Sequence, residues 1–154
     1  MAIGSEIHSL IEGFIKKEPF AVSGKYESQL FADALFDEAN KIVREWVAVE
    51  PHVKSEELRI HGTADAIVKL DDGLAVWDWK SSASKSDTHR IQLAIYALCW
   101  NEEHPDQYVD RGIIARIDKK SKRLGVKLDI YENLKQYLPV IRALKLIWDF
   151  NNEK

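Results

Sequence analysis

Asp65, Asp78 and Lys80 draw attention because each charge is set into an otherwise apolar stretch. Asp65 lies in Gly62-Thr63-Ala64-Asp65-Ala66-Ile67-Val68, and Asp78 stands between Trp77 and Trp79, two residues before Lys80. A carboxylate in such surroundings needs a partner or a metal to offset its desolvation. Two carboxylates and an ammonium brought together suit phosphodiester hydrolysis. Carboxylate oxygens are hard ligands for Mg²⁺ or Mn²⁺, and the backbone carbonyl of Trp79 is a further candidate ligand. A bound cation polarises the phosphoryl oxygen and lowers the pKa of a coordinated water. Lys80 then orients that water or neutralises charge growing on phosphorus. The plainer alternative is a surface salt bridge worth ~0–1 kcal/mol.

Which alternative holds depends on register. Asp72-Gly73 between two apolar runs is a strong hairpin signal. A two-residue turn centred on it pairs Asp71 with Leu74, Ile67 with Asp78 and Asp65 with Lys80. Asp78 and Lys80 share a face because strand side chains alternate, and Asp65 falls on that face within cross-strand reach. A slip of one residue sends Asp65 to the other side.

The elements that must hold these residues follow from hydrophobic period. Ile3, Ile7, Leu10, Ile11 and Phe14 predict an amphipathic helix over residues 3–17, ended by Pro19. A longer helix is predicted from about Lys25 to Val47, with Leu30, Phe31, Ala34, Leu35, Ile42 and Trp46 as its buried stripe. Strands are predicted near Val47–Val53, over 58–70 and over 74–80. A helix over 88–103, strands at about 111–118 and 123–129, and a final helix from Glu132 to Phe150 complete the chain. That helix should bury Leu134, Leu138, Ile141, Leu144 and Trp148. The order is α-α-β-β-β-α-β-β-α. The helix at 88–103 joins two strands through a right-handed crossover and makes them parallel. The expected fold is α/β, a mixed sheet flanked by helices, in one domain over residues 1–154.

Composition narrows the class without naming it. At 45% hydrophobic and 31% charged residues, the chain reads as an ordinary globular domain. Its net charge of −3 is neutral evidence on nucleic acid, because catalytic carboxylates offset local clusters of Lys and Arg. No apolar run approaches the roughly 20 residues of a membrane span. No signal peptide is recognised in Met1–Glu6, and Cys99 is the single cysteine, so the expectation is a reducing cytoplasm.

Three segments together resemble a known family. Gly62-Thr63-Ala64-Asp65, then Asp78-Trp79-Lys80-Ser81, then Gln92-Leu93-Ala94-Ile95-Tyr96 are similar to the G-x-x-D, D-x-K-[ST] and Q-x-x-x-Y pattern of the RecB-like branch of the PD-(D/E)XK nuclease superfamily. D-x-K alone is weak; the three in order, at compatible spacings, are specific. The resemblance implies a restriction-endonuclease-like core with Asp65 and Asp78 as metal ligands and Lys80 as the catalytic lysine. It also implies that His8, in Gly4-Ser5-Glu6-Ile7-His8, completes the metal site, where an imidazole suits Mn²⁺ better than Mg²⁺. Gln92 and Tyr96, four residues apart on one helix face, are implied beside the site, with Gln92 supporting Lys80 or substrate. Arg90 is a candidate phosphate contact, with a solvated surface arginine as its alternative. Glu50 is the candidate additional acid; Glu56 and Glu57 compete with it. Lys119, Lys120, Lys122 and Arg123 form the best local DNA-contact patch, though hairpin tips are also basic for solubility. The four-cysteine iron–sulfur cluster of some RecB-like nucleases is not expected with one cysteine.

The functional expectation is a Mg²⁺- or Mn²⁺-dependent deoxyribonuclease acting on single- or double-stranded DNA. Analogy favours an exonuclease of low sequence specificity in repair or recombination, with any helicase or recombination partner on another chain. Three alternatives stay open: a structure-selective endonuclease for junctions or flaps, a non-catalytic nucleic-acid-binding module on the same fold, and a structural domain with ordinary ion pairs.

Overall fold

The computed structural model describes residues 26–80, 87–118 and 125–152. The helix expected over 3–17 lies outside them. Helix α1 spans Tyr26–Ile42 and buries Leu35, Phe36 and Ala39. It stops before the expected Val47. Arg44 N donates to Lys69 O at 2.8 Å, and strand β1, Glu45–Val49, begins at once. The β-branched and aromatic run Trp46-Val47-Ala48-Val49 has a strand to pair with, and pairing outweighs the helical spacing. Trp46 therefore belongs to a strand, where its ring meets Trp77 and Trp79 at centroid distances of 5.7 and 5.9 Å.

The strand expected near Val47–Val53 is two strands. Glu50 turns left-handed (φ 49°) and Pro51 lacks the N–H to continue a ladder, so β2, His52–Ser55, leaves on a new course. It pairs with β3, Ile60–Thr63, in a separate two-stranded sheet. The continuous strand expected over 58–70 likewise breaks at Ala64-Asp65, beyond which β4, Ala66–Leu70, enters the main sheet. That sheet has the order β1-β4-β5-β6-β7, where β5 is Gly73–Lys80, β6 is Val109–Asp118 and β7 is Gly125–Tyr131. Only β5 and β6 run parallel among its pairs, joined by helix α2, Asp87–Glu103. This is the mixed α/β architecture expected, with its crossover.

The β4–β5 hairpin corrects the expected register. Leu70 pairs with Gly73, so the turn is Asp71-Asp72 rather than Asp72-Gly73. Each turn carboxylate is held by an arginine from outside the hairpin. Arg44 Nε reaches Asp71 Oδ1 at 2.7 Å, and Arg111 Nη1 reaches Asp72 Oδ1 at 2.6 Å. Gly73 takes the strand entry at φ 144°, a conformation L side chains rarely adopt. The displacement is two residues, so every side chain keeps its face. Asp65 nevertheless comes level with Asp78 instead of Lys80.

The sheet is covered on both sides. Ala66, Val68, Ala75, Trp77, Trp79 and Ile113 pack toward α1. Ile67, Val76 and Ile114 pack toward α2 with Leu93, Ala94 and Ala97. At Gly112 a Cβ would stand 2.7 Å from Leu93 Cδ1, so the missing side chain lets α2 settle on β6. Alternation then carries Asp78, Lys80, Arg116 and Asp129 to the α2 side. A 3₁₀ turn, Leu134–Tyr137, precedes helix α3, Leu138–Asn151. Only part of the expected α3 stripe is covered: Leu134 and Ile141 are buried, while Leu144 and Trp148 are 49% and 59% exposed. The helix meets α2 and the 3₁₀ turn. None of the described helices is long and apolar enough to cross a membrane.

Candidate active site

The break at Ala64-Asp65 is what makes the site. Glu50 N donates to Asp65 O at 2.8 Å and Ala64 N to Pro51 O at 3.2 Å, tying the crossing chain to the β1–β2 bend. Strand β4 begins only at Ala66, opposite Trp77, so Trp79 N has no strand partner on that side. The Asp65 carboxylate takes its place: Oδ2 accepts from Trp79 N at 2.9 Å. Asp65 is thereby held against Asp78.

Asp78 is buried and Lys80 is partly buried, with Lys80 Nζ 2.8 Å from Asp78 Oδ2. That contact is an ion pair without hydrogen-bond alignment, and Oδ2 is left buried with no directed donor. Lys80 Nζ donates instead to Gln92 Oε1 at 2.9 Å, and Gln92 Nε2 donates to Tyr96 Oη at 2.9 Å. One side of the ammonium is thus fixed by α2 and the other by Asp78. Burial, then the contact with Asp78, pushes the Asp65 carboxyl up to about 9, with the Trp79 N–H and Lys80 opposing. Burial and the Asp78 charge also raise the Tyr96 phenol.

Beyond Lys80 the cations continue in register. Lys80 is level with Arg116 on β6, and Arg116 with Lys127 on β7. Arg116 and Asp129 are both buried and paired, Nε to Oδ2, at 2.6 Å, whereas Lys127 is exposed. Strands spaced about 4.8 Å apart make this a row leading from the carboxylates to the sheet edge.

The structure therefore brings together Asp65, Asp78, Lys80, Gln92 and Tyr96, with the Trp79 backbone between Asp78 and Lys80. Glu50 is exposed, but its backbone is bonded to Asp65. Glu56 and Glu57 are engaged elsewhere, with Lys54 at 3.1 Å and Arg142 at 3.2 Å. Arg90 is two residues from Gln92, on the other side of α2, its guanidinium 5.8 Å from the Tyr137 ring centroid. His8, Lys119, Lys120, Lys122 and Arg123 lie outside the described residues. One neighbour of the site was not foreseen. His89 feels Lys80, Asp78, Asp129 and Arg116, and burial followed by the Lys80 charge lowers its pKa. The signal was present, since His89, Gln92 and Tyr96 follow the i, i+3, i+7 spacing of one helix face.

Among the described residues no group of three His, Cys, Asp or Glu side chains is arranged to hold a metal. Two adjoining carboxylates, one with a buried oxygen that no aligned hydrogen bond reaches and the other with its pKa raised by burial and its neighbour, nevertheless fit a hard divalent cation. Mg²⁺ in particular is commonly bound by one or two carboxylates with water and substrate phosphate completing its shell.

Comparison with known proteins bears on the fold and the family. A solved structure of a protein from Eubacterium rectale, called a "Putative exonuclease", superposes with a TM-score of 0.60 at 14% identity, covering 99% of this chain and 67% of that one. At that identity the likeness is one of fold. No curated protein matches the sequence significantly. The family model for the PD-(D/E)XK nuclease superfamily matches residues 24–145, which include the paired carboxylates, the lysine and the α2 residues that hold it. This chain belongs to the PD-(D/E)XK nuclease superfamily.

Proposed function

We propose that the protein is a Mg²⁺- or Mn²⁺-dependent deoxyribonuclease of the RecB-like branch, working as an exonuclease of low sequence specificity. The observation that carries this reading is the Asp65–Asp78 carboxylate pair beside Lys80, with Asp78 Oδ2 buried against the Lys80 ammonium at 2.8 Å. Asp65 and Asp78 would hold the cation, together with the Trp79 carbonyl, His8 as a further ligand and Glu50 as an additional acid. A divalent cation supplies positive charge that polarises the phosphoryl oxygen and acidifies water.

The chain's own groups do the rest. Asp65 gives up its proton when the pair is charge-compensated, because the raised pKa reflects burial and the facing carboxylate. Lys80, steadied by Gln92, presents its ammonium to the attacking water or to the negative charge gathering on phosphate oxygens. Gln92 holds that ammonium in position through its link to Tyr96. Trp79 N–H fixes the Asp65 carboxylate so that it need not reorganise during the reaction.

The branch assignment is supported by Gly62-x-x-Asp65, Asp78-x-Lys80-Ser81 and Gln92-x-x-x-Tyr96 in order. The exonuclease reading rests on that branch and on the name of the structural neighbour. Arg90, Lys119, Lys120, Lys122 and Arg123 are proposed as substrate contacts, DNA as substrate, a helicase or recombination protein on another chain as partner, and the cytoplasm as site of action. Wild type and Lys80→Ala are assayed on linear and closed-circular DNA with Mg²⁺ or Mn²⁺. Loss of at least about 10²-fold in Lys80→Ala, with only linear DNA degraded, is expected. Cutting of closed circles points to an endonuclease; equal activity in the variant sinks the assignment of the site.

A further inference from the structure

His89 has no part in the reaction described so far, yet it faces its centre. It stands near the start of α2 on the same helix face as Gln92 and Tyr96, one turn before Gln92. Its ring feels charges from three adjacent strands. These are Asp78 and Lys80 of β5, Arg116 of β6 and Asp129 of β7. Arg116 and Asp129 neutralise each other in their buried pair, and Lys80 is paired with Asp78 and bonded to Gln92. The imidazole thus feels both ion pairs and is hydrogen-bonded to neither.

Its Nδ1 is buried without a hydrogen-bond partner. A buried N–H left unpaired is costlier than a buried lone pair, so the neutral ring carries its proton on Nε2. With Nδ1 sealed in, Nε2 is the nitrogen left to meet a ligand. What it can offer is a single N–H donor in the neighbourhood of Lys80 and of Arg116, the next cation of the row. The matching acceptor is an anionic oxygen of a strand already engaged at Lys80.

We propose that His89 donates its Nε2–H to a non-bridging oxygen of a backbone phosphate next to the scissile one, fixing the path of the substrate strand over β6. The proposal rests on the nuclease reading of the Asp65, Asp78 and Lys80 site. The contact is a hydrogen bond only, and no proton is transferred. His89→Leu keeps the bulk and removes the donor, whereas His89→Gln restores a donor near the position of Nε2.

The test is binding of short oligonucleotides in Ca²⁺, each with one phosphate replaced by a neutral methylphosphonate, to wild type, His89→Leu and His89→Gln. In wild type, one position beside the scissile phosphate should weaken binding by about tenfold. His89→Leu should bind the unmodified strand about tenfold more weakly and lose sensitivity at that position alone, and His89→Gln should regain most of both. A purely structural histidine would weaken all oligonucleotides alike and leave the interference pattern intact, which overturns the proposal. So does a wild type that binds none of them. Cleavage in Mg²⁺, measured in parallel, is a separate outcome: strands bound with this interference but never cut would remove the nuclease reading and keep the phosphate contact.

Discussion

Gly62 lies against the ring of Tyr96: a Cβ at residue 62 would stand 3.0 Å from Tyr96 Cε1. The glycine of the Gly62-x-x-Asp65 segment is therefore a space for the residue that ends the Lys80–Gln92–Tyr96 chain. Two of the three segments singled out in the sequence touch through this contact, and the third is held by the chain it steadies.

Gly62→Ala should displace the Tyr96 ring by a few tenths of an ångström and, through Gln92, unsettle Lys80. Nuclease activity should fall by about three- to tenfold with little loss of stability, since small misplacements near reacting groups are costly. Tyr96→Phe, which keeps the ring and loses the hydroxyl, separates the two effects. If Gly62→Ala is fully active while Tyr96→Phe is impaired, the ring has room to yield.

Asp65 makes stability depend on pH in a definite direction. Its carboxyl is raised from 3.8 to about 9, so between those values the native state retains a proton the unfolded chain has lost. The contribution is fully present below 3.8, and the metal-free protein should lose stability progressively as pH climbs towards 9. Asp65→Asn should flatten that slope and, at mildly alkaline pH, gain about 1–2 kcal/mol. Urea denaturation in a chelator measures both. Identical pH slopes for the two proteins would refute the raised carboxyl.

Lys127 is the exposed end of the row that begins at Lys80. If the substrate backbone follows the row, Lys127→Ala weakens binding to all sequences alike. The dependence of log K on log salt should then fall by about 0.9 for duplex or 0.7 for single strands, one phosphate contact's worth. An unchanged slope places the strand elsewhere.

Arg116 and Asp129 are a structural pair beneath that path. Asp129→Ala removes the carboxylate paired with a buried guanidinium and should cost about 3–5 kcal/mol in chemical denaturation, whereas replacing both by Met and Leu should cost far less. A double variant as unstable as the single one would mean that the pair is not the unit that matters.

What the sequence determined by itself was local. Period and turn residues placed the helix over α2, the parallel crossover and the face shared by Asp78 and Lys80, because these depend on neighbours a few residues away. The three segments pointed to the superfamily because they occur in order at compatible spacings, two of them with carboxylates set in apolar runs. Tertiary structure decided what distant partners control. Arg44 and Arg111 pair with Asp71 and Asp72 at the turn of a hairpin whose register lies two residues from the expected one. That shift was harmless to the face of Asp65 only because it was even. The handover between sheets at Ala64-Asp65 turns Asp65 from a strand residue into the acceptor for Trp79 N–H. Likewise, a histidine one turn before Gln92 is unremarkable until four charged groups from three strands converge beneath it. Periodicity says which way a side chain points; only the assembled sheet says what it meets there.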